Sequence, residues 1–327
     1  MCEQQLVNRA LSFARSDPQG PVYLCGAREP MEQDISPYAV NREFWKPVEQ
    51  PALPLSGVKK IAESLANATE PLLITGYSGR NHAVPPLLVE LADTIKGLRV
   101  LDTGGSDMNF PANHRAWLGL KYGIDTSIKT ADVILVLDCD VPWINVHNKP
   151  REDAVIYHVD VDPLKQQMPV FYIDAVARYK AGAFEAVTQI LDHLKSNAEL
   201  KEKLSSSAVN ERWEKLGQAY EQKLQIIKEI AVPKEDGSFL PPYLISRVRH
   251  HCPDDTIFAV EAVTNGPVVS ENLQVTLPGS LINCGGGGLG WSGGGTLGIK
   301  LATDHLGEKK FVCQIVGGEF ICASGDL

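Results

Sequence analysis

The feature that most constrains the fold is a series of short, unbroken apolar runs separated by helical patterns. The run from Asp132 to Asp140, D-V-I-L-V-L-D-C-D, and the run from Ala154 to Asp162 are clear examples. Such runs are typical of strands buried on both faces, which occur in parallel sheets. Helical patterns between them supply the crossovers that parallel strands need. The sequence therefore predicts a doubly wound α/β domain over residues 57–195.

Within this central domain the pattern predicts four strands and three helices. The predicted strands are Pro71–Gly76, Leu98–Thr103, Asp132–Asp140 and Ala154–Asp162. The predicted helices are Val58–Ala68, His82–Ile95 and Ala183–Leu194.

The flanking segments are predicted to have different roles. Residues 1–31 contain a helical pattern over 4–15 and a short apolar run, Pro21–Gly26, expected to be a buried strand. Residues 32–56 are expected to be a linker, and residues 196–238 an exposed, charged connecting helix and linker. Residues 239–327 open a second, incomplete α/β unit, with strands at Thr256–Ala262 and Lys310–Gly318 (the latter buried) and helices at Tyr243–His251 and before His305.

A glycine-rich stretch, Ser280–Leu301, joins an apolar run to a helical pattern. Nine of its residues are glycine. A flexible linker is one reading of such a composition. Apolar residues such as Leu281, Trp291 and Leu297 interrupt the glycines, which favours an ordered turn whose backbone takes positive φ or approaches an anion at a helix start.

Composition excludes several classes of partner. The net charge of −9 argues against a nucleic-acid partner, because no basic stripe is present. No apolar stretch is long enough to span a membrane, and we expect a cytoplasmic protein. The seven cysteines are scattered and mostly in apolar runs, so we expect reduced, buried thiols.

The strongest candidate site lies where predicted strands of the second unit end. Ligands of parallel sheets bind beyond the carboxyl ends of the strands. Val260–Asn265, Cys284–Gly295 and Val316–Glu319 together could offer backbone N–H groups and Thr and Asn side chains to a diphosphate. Glu261 and Glu319 could reach a cofactor or metal, or could equally be solvent-facing termini or helix caps.

Other candidates have weaker support. The turn Gly76–Arg80 could hold a phosphate, but it lacks the phosphate-loop lysine, so a packing turn is favoured. Residues 109–115 are expected to form a structured loop. Four histidines have no metal-ligand spacing with one another and are expected to be structural: His147, His158, His250 and His251.

The order of these segments resembles the thiamine-diphosphate (ThDP) enzyme superfamily, in particular acetolactate-synthase-like proteins of the fungal type. Q-L-V-N-R-A-L-S-F-A-R-S-D-P-Q-G-P-V-Y-L resembles the end of a pyrimidine-binding domain, and I-T-G-Y-S-G-R-N and A-D-V-I-L-V-L-D-C-D-V-P-W the central domain. F-A-V-E-A-V-T-N and I-N-C-G-G-G-G-L-G-W-S-G-G-G resemble the start of a diphosphate-binding domain. The resemblance implies a chain truncated at both ends.

The resemblance implies thiamine diphosphate and Mg²⁺ as cofactors, with FAD allowed because some relatives hold it against the central domain. It assigns cofactor contacts to residues of the second unit, namely Glu261, Thr264, Asn265, Gly287, Gly288, Leu289, Gly290, Trp291, Ser292, Gly293, Gly317 and Gly318. Ser292 stands where the family commonly has a methionine. The family's metal-binding Gly-Asp-Gly is replaced by Gly317-Gly318-Glu319, which leaves Glu319 as a degenerate metal ligand, and no catalytic residue can be assigned.

The family's chemistry is decarboxylation of a 2-oxo acid, or cleavage or ligation at a carbonyl of a 2-oxo acid or aldehyde. The resemblance therefore implies a decarboxylase or carboligase, with an isolated chain that is expected to be inactive. A non-catalytic scaffold or regulatory partner, and a truncated gene model of an ordinary enzyme, remain alternatives. A homo-oligomer or a complex with a full-length relative is expected.

Overall fold

A computed structural model describes residues 3–34, 36–37, 39, 41–166, 168, 173–284 and 288–317. The first α/β unit contains six strands: β1 (Pro71–Thr75), β2 (Arg99–Asp102), β3 (Trp117–Leu120), β4 (Val133–Leu137), β5 (Val155–Asp160) and β6 (Ala177–Lys180). Its helices are α3 (Leu55–Asn67), α4 (Val84–Thr94), α5 (Thr126–Thr130) and α6 (Ala183–Ser196). Two helices precede it, α1 (Glu3–Arg15) and α2 (Arg28–Met31), and two follow it, α7 (Ala198–Leu204) and α8 (Ser207–Ile230).

The six strands form one sheet in the order β3-β2-β1-β4-β5-β6, and every neighbouring pair is parallel. The order reverses between β1 and β4, where every residue of both strands is buried. Apolar clusters cover both faces of the sheet, one larger and one smaller. The predicted doubly wound architecture is confirmed.

The two outermost strands, β3 and β6, were missed by the sequence analysis. β6 alternates exposed and half-buried residues, and Arg178 and Lys180 interrupt its apolar pattern. β3 contains Gly119, which weakens a strand pattern. Edge strands are buried on fewer sides, so they lack the unbroken apolar run that identified the central strands.

The second unit contains three parallel strands in the order β8-β7-β9. Its elements are α9 (Pro241–His251), β7 (Ile257–Glu261), α10 (Gly266–Leu273), β8 (Leu281–Asn283), α11 (Trp291–His305) and β9 (Val312–Val316). The prediction of a buried last strand is wrong, because β9 is an edge strand whose residues are exposed or half-buried. Phe311, just before it, is 52% exposed.

The segment between β2 and β3 joins the two sheets. Asp107 forms an antiparallel bridge with Ile282, and the Asn283 N–H donates to the Ser106 carbonyl at 2.9 Å. Met108 from the same segment is buried in the core of the second unit. The carboxyl ends of both sheets are consequently brought to one cleft.

An ionic junction adds to this contact. The Glu271 carboxylate on α10 lies 2.6 Å from Lys121 Nζ and 3.9 Å from Lys223 Nζ. Lys121 belongs to the first unit, Lys223 to helix α8 and Glu271 to the second unit. Burial, and then the nearby Lys121, lower the pKa of Lys223 to about 8.

The amino-terminal helix is confirmed, but the strand predicted at Pro21–Gly26 is wrong. Residues 21–26 are exposed and have no regular structure. A strand is stable only when a neighbour pairs with its backbone, and no described strand lies beside this segment.

The described cysteines form no disulfide, as expected, but the prediction that the thiols are buried holds only for Cys139. Cys25 is exposed, and Cys252, Cys284 and Cys313 are half-buried. Apolar neighbours in sequence did not ensure burial: Cys25 lies in an exposed segment, Cys252 and Cys284 lie just after a helix and a strand, and Cys313 lies in the edge strand β9. Among the described residues, no helix has the length and apolar character needed to cross a membrane.

Helix α8 is less exposed than the sequence suggested, since Val209 and Ile227 are buried. Arg212 of this helix contacts the carboxyl-terminal ends of two other helices. Its guanidinium donates to the Lys96 carbonyl after α4. It also donates to the Ala68 and Thr69 carbonyls after α3. Gly97, at φ 92°, leaves room for this side chain, because a Cβ there would lie 2.2 Å from Arg212 Nε. Arg212 therefore satisfies carbonyls that the two helices leave unpaired.

Replacing Arg212 with lysine keeps the charge but removes most of these hydrogen bonds. We expect Arg212→Lys to lower the free energy of unfolding by about 1–3 kcal/mol, the range for hydrogen bonds to charged groups. Urea titration followed by circular dichroism measures the change. Arg151→Lys, which alters an exposed pair with Asp153, should shift stability by less than about 0.5 kcal/mol. Equal effects of the two changes would contradict the role given to Arg212.

Candidate functional site

A cleft of 260 Å³ lies between the carboxyl ends of the two sheets, and we call it the inter-sheet cleft. Its lining residues follow β1, β2, β3, β7 and β8: Tyr77, Gly104, Ser106, Tyr122, Glu261, Ala262, Val263, Asn283, Cys284 and Leu289. Because ligands of parallel sheets bind beyond the carboxyl ends of the strands, this cleft is the candidate functional site.

Glu261, the last residue of β7, organises one wall of the cleft. Its carboxylate accepts hydrogen bonds from the Gly290 N–H at 2.6 Å and from the Ser292 N–H at 2.7 Å. Gly290 has φ 83°, a conformation that glycine adopts without strain. The positive φ expected in the glycine-rich stretch is thus found where the turn enters α11. Glu261 caps this helix, where a negative charge is favourable.

The environment of Glu261 stabilises its charged form. Burial opposes ionisation, but hydrogen bonds from the Ser292 N–H and hydroxyl and from the Gly290 N–H outweigh it and lower the pKa of Glu261 below its ordinary value. The carboxylate therefore stays ionised at neutral pH and keeps the turn in place.

Two further contacts fix the same wall. The Gly317 N–H, just after β9, donates to the Glu261 carbonyl at 2.9 Å. The buried Ser292 accepts a hydrogen bond from Gln314 Nε2 at 2.9 Å. Gln314 was not singled out from the sequence, because a glutamine inside a strand pattern carries no signal of its own. Together these bonds tie β7, β9 and the start of α11 to one another.

The polar residues beyond Glu261 are open to solvent. Thr264 and Asn265 are exposed, and neither side chain has a hydrogen-bond partner among the residues that the structure describes. Gly288 and Leu289 are exposed as well. Within the described part of the chain, the Thr264 and Asn265 side chains are therefore available to a ligand, which the N–H groups held by Glu261 are not.

The structure describes only some of the remaining residues that were predicted to contact the cofactor. Trp291 and Gly293 are half-buried, and the Trp291 ring lies along its own helix, against Gly295. Gly287, Gly318 and Glu319 lie outside the described residues. Within the described part of the chain, no group of three His, Cys, Asp or Glu side chains could share a metal ion.

The first unit contributes a wall that the sequence analysis missed. Tyr122 follows β3, itself an unrecognised strand, and has φ 43°. Its hydroxyl lies against Gly266 at the start of α10, where a Cβ would be 2.0 Å from Oη. Burial, and then the nearby Asp102, raise the pKa of Tyr122, so its phenol stays protonated. The residues of this wall could have been identified from the sequence by their position just after a strand.

The turn Gly76–Arg80 is a packing turn, as favoured from the sequence. The Gly76 and Tyr77 N–H groups donate to the Asp138 carbonyl at 3.1 and 2.9 Å, and the Gly79 N–H donates to Asn109 Oδ1 at 2.7 Å. The donors that a phosphate would need are therefore bound within the protein. Asn109 also places the predicted structured loop against this turn.

The cap on α11 leads to a pH-dependent prediction. Glu261→Gln keeps the shape of the side chain but removes its charge, so we expect a loss of about 1–3 kcal/mol in the free energy of unfolding near neutral pH. Because the pKa of Glu261 is lowered by folding, its contribution is present above the ordinary pKa of a glutamate and is lost as pH falls through the lowered value. Denaturant titrations at neutral and acid pH should show the two proteins converging at low pH. The exposed Glu308→Gln is the control, and a gap that persists in acid would contradict the assignment.

The central part of the chain matches a known protein family. Residues 58–170 match the family model of the thiamine pyrophosphate enzyme central domain. No curated protein sequence matches the chain. None of these comparisons supports FAD.

Similar solved structures cover nearly the whole chain. Benzoylformate decarboxylase from Polynucleobacter necessarius superposes with a TM-score of 0.72 at 18% identity, covering 97% of this chain and 56% of that one. A thiamine-diphosphate-dependent 4-hydroxybenzoylformate decarboxylase from Rhodococcus jostii RHA1 gives a TM-score of 0.70 at 19% identity, with 97% and 56% coverage. A putative thiamin-diphosphate-dependent enzyme from Mycobacterium smegmatis gives 0.68 at 16% identity, with 97% and 57% coverage.

The chain thus spans little more than half the length of each of these structures. Their TM-scores show a shared fold, and at this low identity the likeness concerns the fold alone. The family match is therefore limited to residues 58–170, and the solved structures extend the shared fold over nearly the whole chain.

Proposed function

We propose that this chain provides the diphosphate-side half of a thiamine-diphosphate site for a decarboxylase or carboligase that acts on 2-oxo acids. The observation that carries the proposal is the Glu261 cap. It holds the glycine-rich turn at the carboxyl end of β7, beside the free side chains of Thr264 and Asn265. The names of the similar structures, two of which are 2-oxo acid decarboxylases, favour decarboxylation.

The residues of this wall fit a diphosphate in part. The Thr264 hydroxyl and the Asn265 amide are exposed donors, and the start of α11 contributes a positive dipole end. Glu261 offsets some of that positive potential and takes the Gly290 and Ser292 N–H groups. The diphosphate would therefore be held by Thr264, Asn265 and the exposed side of the turn.

Magnesium fits less well. No three side chains of suitable type come together within the described ranges, and Mg²⁺ needs several fixed oxygen ligands. The described residues therefore offer no magnesium site. Glu319 lies outside them and is retained only as a proposed magnesium ligand.

Bound thiamine diphosphate supplies the electron sink that allows a 2-oxo acid to lose carbon dioxide. The chain itself binds and orients. Thr264 and Asn265 hold the anionic end, Glu261 keeps the turn rigid, and the protonated Tyr122 phenol is placed to donate a hydrogen bond into the cleft. Glu261 is the one carboxylate among the described residues that line the cleft, and it is already engaged as a cap.

A non-catalytic scaffold is the second candidate function, and one observation favours it. An internal carboxylate already fills the start of α11, as expected of a helix terminus that serves the fold and not a ligand. This function predicts no saturable binding of thiamine diphosphate and co-purification with a full-length relative.

Calorimetry with thiamine diphosphate distinguishes the two functions. We expect saturable binding that Thr264→Val weakens about tenfold, because the change removes one hydroxyl donor and leaves the shape nearly unchanged; tenfold corresponds to about 1.4 kcal/mol. Thr69→Val is the matched control, since Thr69 is also exposed but precedes β1, at the amino-terminal edge of the first sheet. Absence of saturable binding, or equal weakening by both variants, would reject the diphosphate site and favour the scaffold.

Turnover by the isolated chain is a separate prediction. With thiamine diphosphate, Mg²⁺ and pyruvate, we expect no release of carbon dioxide or acetolactate above the rate without protein. The described residues offer no metal site and no uncommitted carboxylate in the inter-sheet cleft to handle protons. Measured product release would show that the chain is catalytically complete.

A further inference from the structure

Two cysteine thiols of the second unit lie in contact with each other. Cys252 follows the last residue of α9, and Cys313 is the second residue of the edge strand β9. Although they are far apart in the sequence, both pack against the apolar cluster that forms the core of the second unit. A hydrogen bond links their side chains, and neither sulfur is part of a disulfide. We call Cys252 and Cys313 the thiol pair.

The chain around the thiol pair is ordered but leaves one side free. The Cys252 N–H donates to the Val248 and Arg249 carbonyls at 3.1 and 3.3 Å, where α9 ends. Cys313 lies opposite Phe258 in the parallel pairing of β7 with β9. Among the described strands, β9 has a neighbour on one side only. An S–S bond needs the two sulfurs about 2.0 Å apart. No described strand opposes the small shift of β9 that would bring them from hydrogen-bond contact to this distance.

Both thiols are within reach of solvent. Cys252 and Cys313 are half-buried, and the residues that follow them, Pro253 and Gln314, are exposed. Cys139, by contrast, is buried. Cysteine oxidation follows access and thiolate character, and a second thiol in contact directs it towards a disulfide. The thiol pair has both the access and the partner.

We propose that the thiol pair is a modification site, at which hydrogen peroxide converts Cys252 and Cys313 into a reversible disulfide. One sulfur first attacks a peroxide oxygen, which breaks the O–O bond and leaves a sulfenic acid and one molecule of water. The other thiol then attacks the sulfenic sulfur and the S–S bond forms. The hydroxyl group leaves with the thiol proton as a second molecule of water. Two electrons thus pass from the two sulfurs to the peroxide.

Cys252 is the thiol that we expect to react first. Burial, and then the neighbouring Cys252, raise the pKa of Cys313, so Cys313 remains protonated at neutral pH. Because the thiolate is the nucleophile, a protonated Cys313 is slow to attack the peroxide. Its contact with Cys252 lets it serve instead as the group that closes the disulfide.

The disulfide would close a loop over residues 252–313, which contains β7, α10, β8 and α11. The Glu261 cap lies within this loop. A cross-link restricts the unfolded chain more than the folded one, so the oxidised second unit should be the more stable form. The proposal does not rest on the proposed function, because neither thiol lines the inter-sheet cleft.

Peptide mapping after oxidation tests the proposal. The purified chain is treated with hydrogen peroxide, remaining thiols are blocked with N-ethylmaleimide, and the protein is cut with trypsin and a glutamate-specific protease. This digestion separates the thiol pair from the other cysteines, since Cys252 lies in residues 250–261 and Cys313 in residues 311–319. We expect these two peptides to be joined, with the loss of two hydrogen atoms, and to separate again after treatment with dithiothreitol.

Thermal unfolding of the oxidised and reduced forms of each variant measures the effect of the cross-link. We expect oxidation to raise the melting temperature of the wild type by about 5 °C. Cys313→Ser should lose both the joined peptides and this rise. Cys284→Ser, which removes another half-buried cysteine of the second unit, should keep both. Stable sulfenic or sulfinic acid in place of the bridge, a bridge to a different cysteine or between two chains, or an unchanged melting temperature of the bridged protein would each overturn the proposal.

Discussion

Parallel strand pairing decides where polar side chains collect in this protein. Every strand of both sheets points its carboxyl end the same way as its neighbours, so each sheet has a single edge where chain segments leave the apolar core. Buried strands can carry few polar side chains along their length. The inter-sheet cleft is found at these edges, and the rest of each sheet serves as its support.

Within the inter-sheet cleft, one carboxylate has two opposing effects. Glu261 orders the glycine-rich turn by accepting the Gly290 and Ser292 N–H groups. The same bonds remove these donors from any ligand and reduce the positive potential of the α11 terminus. The wall is thus ordered but attracts anions less strongly, and in the proposed diphosphate site Thr264 and Asn265 would supply the remaining contacts.

Sequence reasoning worked where burial leaves a periodic trace. The central strands β1, β4 and β5 were found because short, unbroken apolar runs bounded by polar residues are typical of strands buried on both faces. Helix α11 was found because its apolar pattern follows a glycine-rich turn. Prediction failed at β3 and β6, where edge position removes half of the apolar signal, and at residues 21–26, where a short apolar run has no described strand beside it.

Only part of the candidate site could be predicted, because burial patterns reveal strands but not contacts across the fold. Glu261 was singled out because a carboxylate at a strand end could reach a cofactor or metal, although the sequence could not decide between a ligand contact, a solvent-facing terminus and a cap. Tyr122 and Gln314 were missed, since their roles depend on distances across the fold: one lies against Gly266 and the other on Ser292.

The segment that joins the two sheets has a consequence for how the molecule forms. Met108 fills the core of the second unit, while Ser106 and Asp107 pair with the backbone of β8. A three-stranded sheet with an exposed edge has little apolar area to bury by itself. The second sheet therefore takes part of its core and of its backbone pairing from the first unit, and we expect it to form only when that segment is in place.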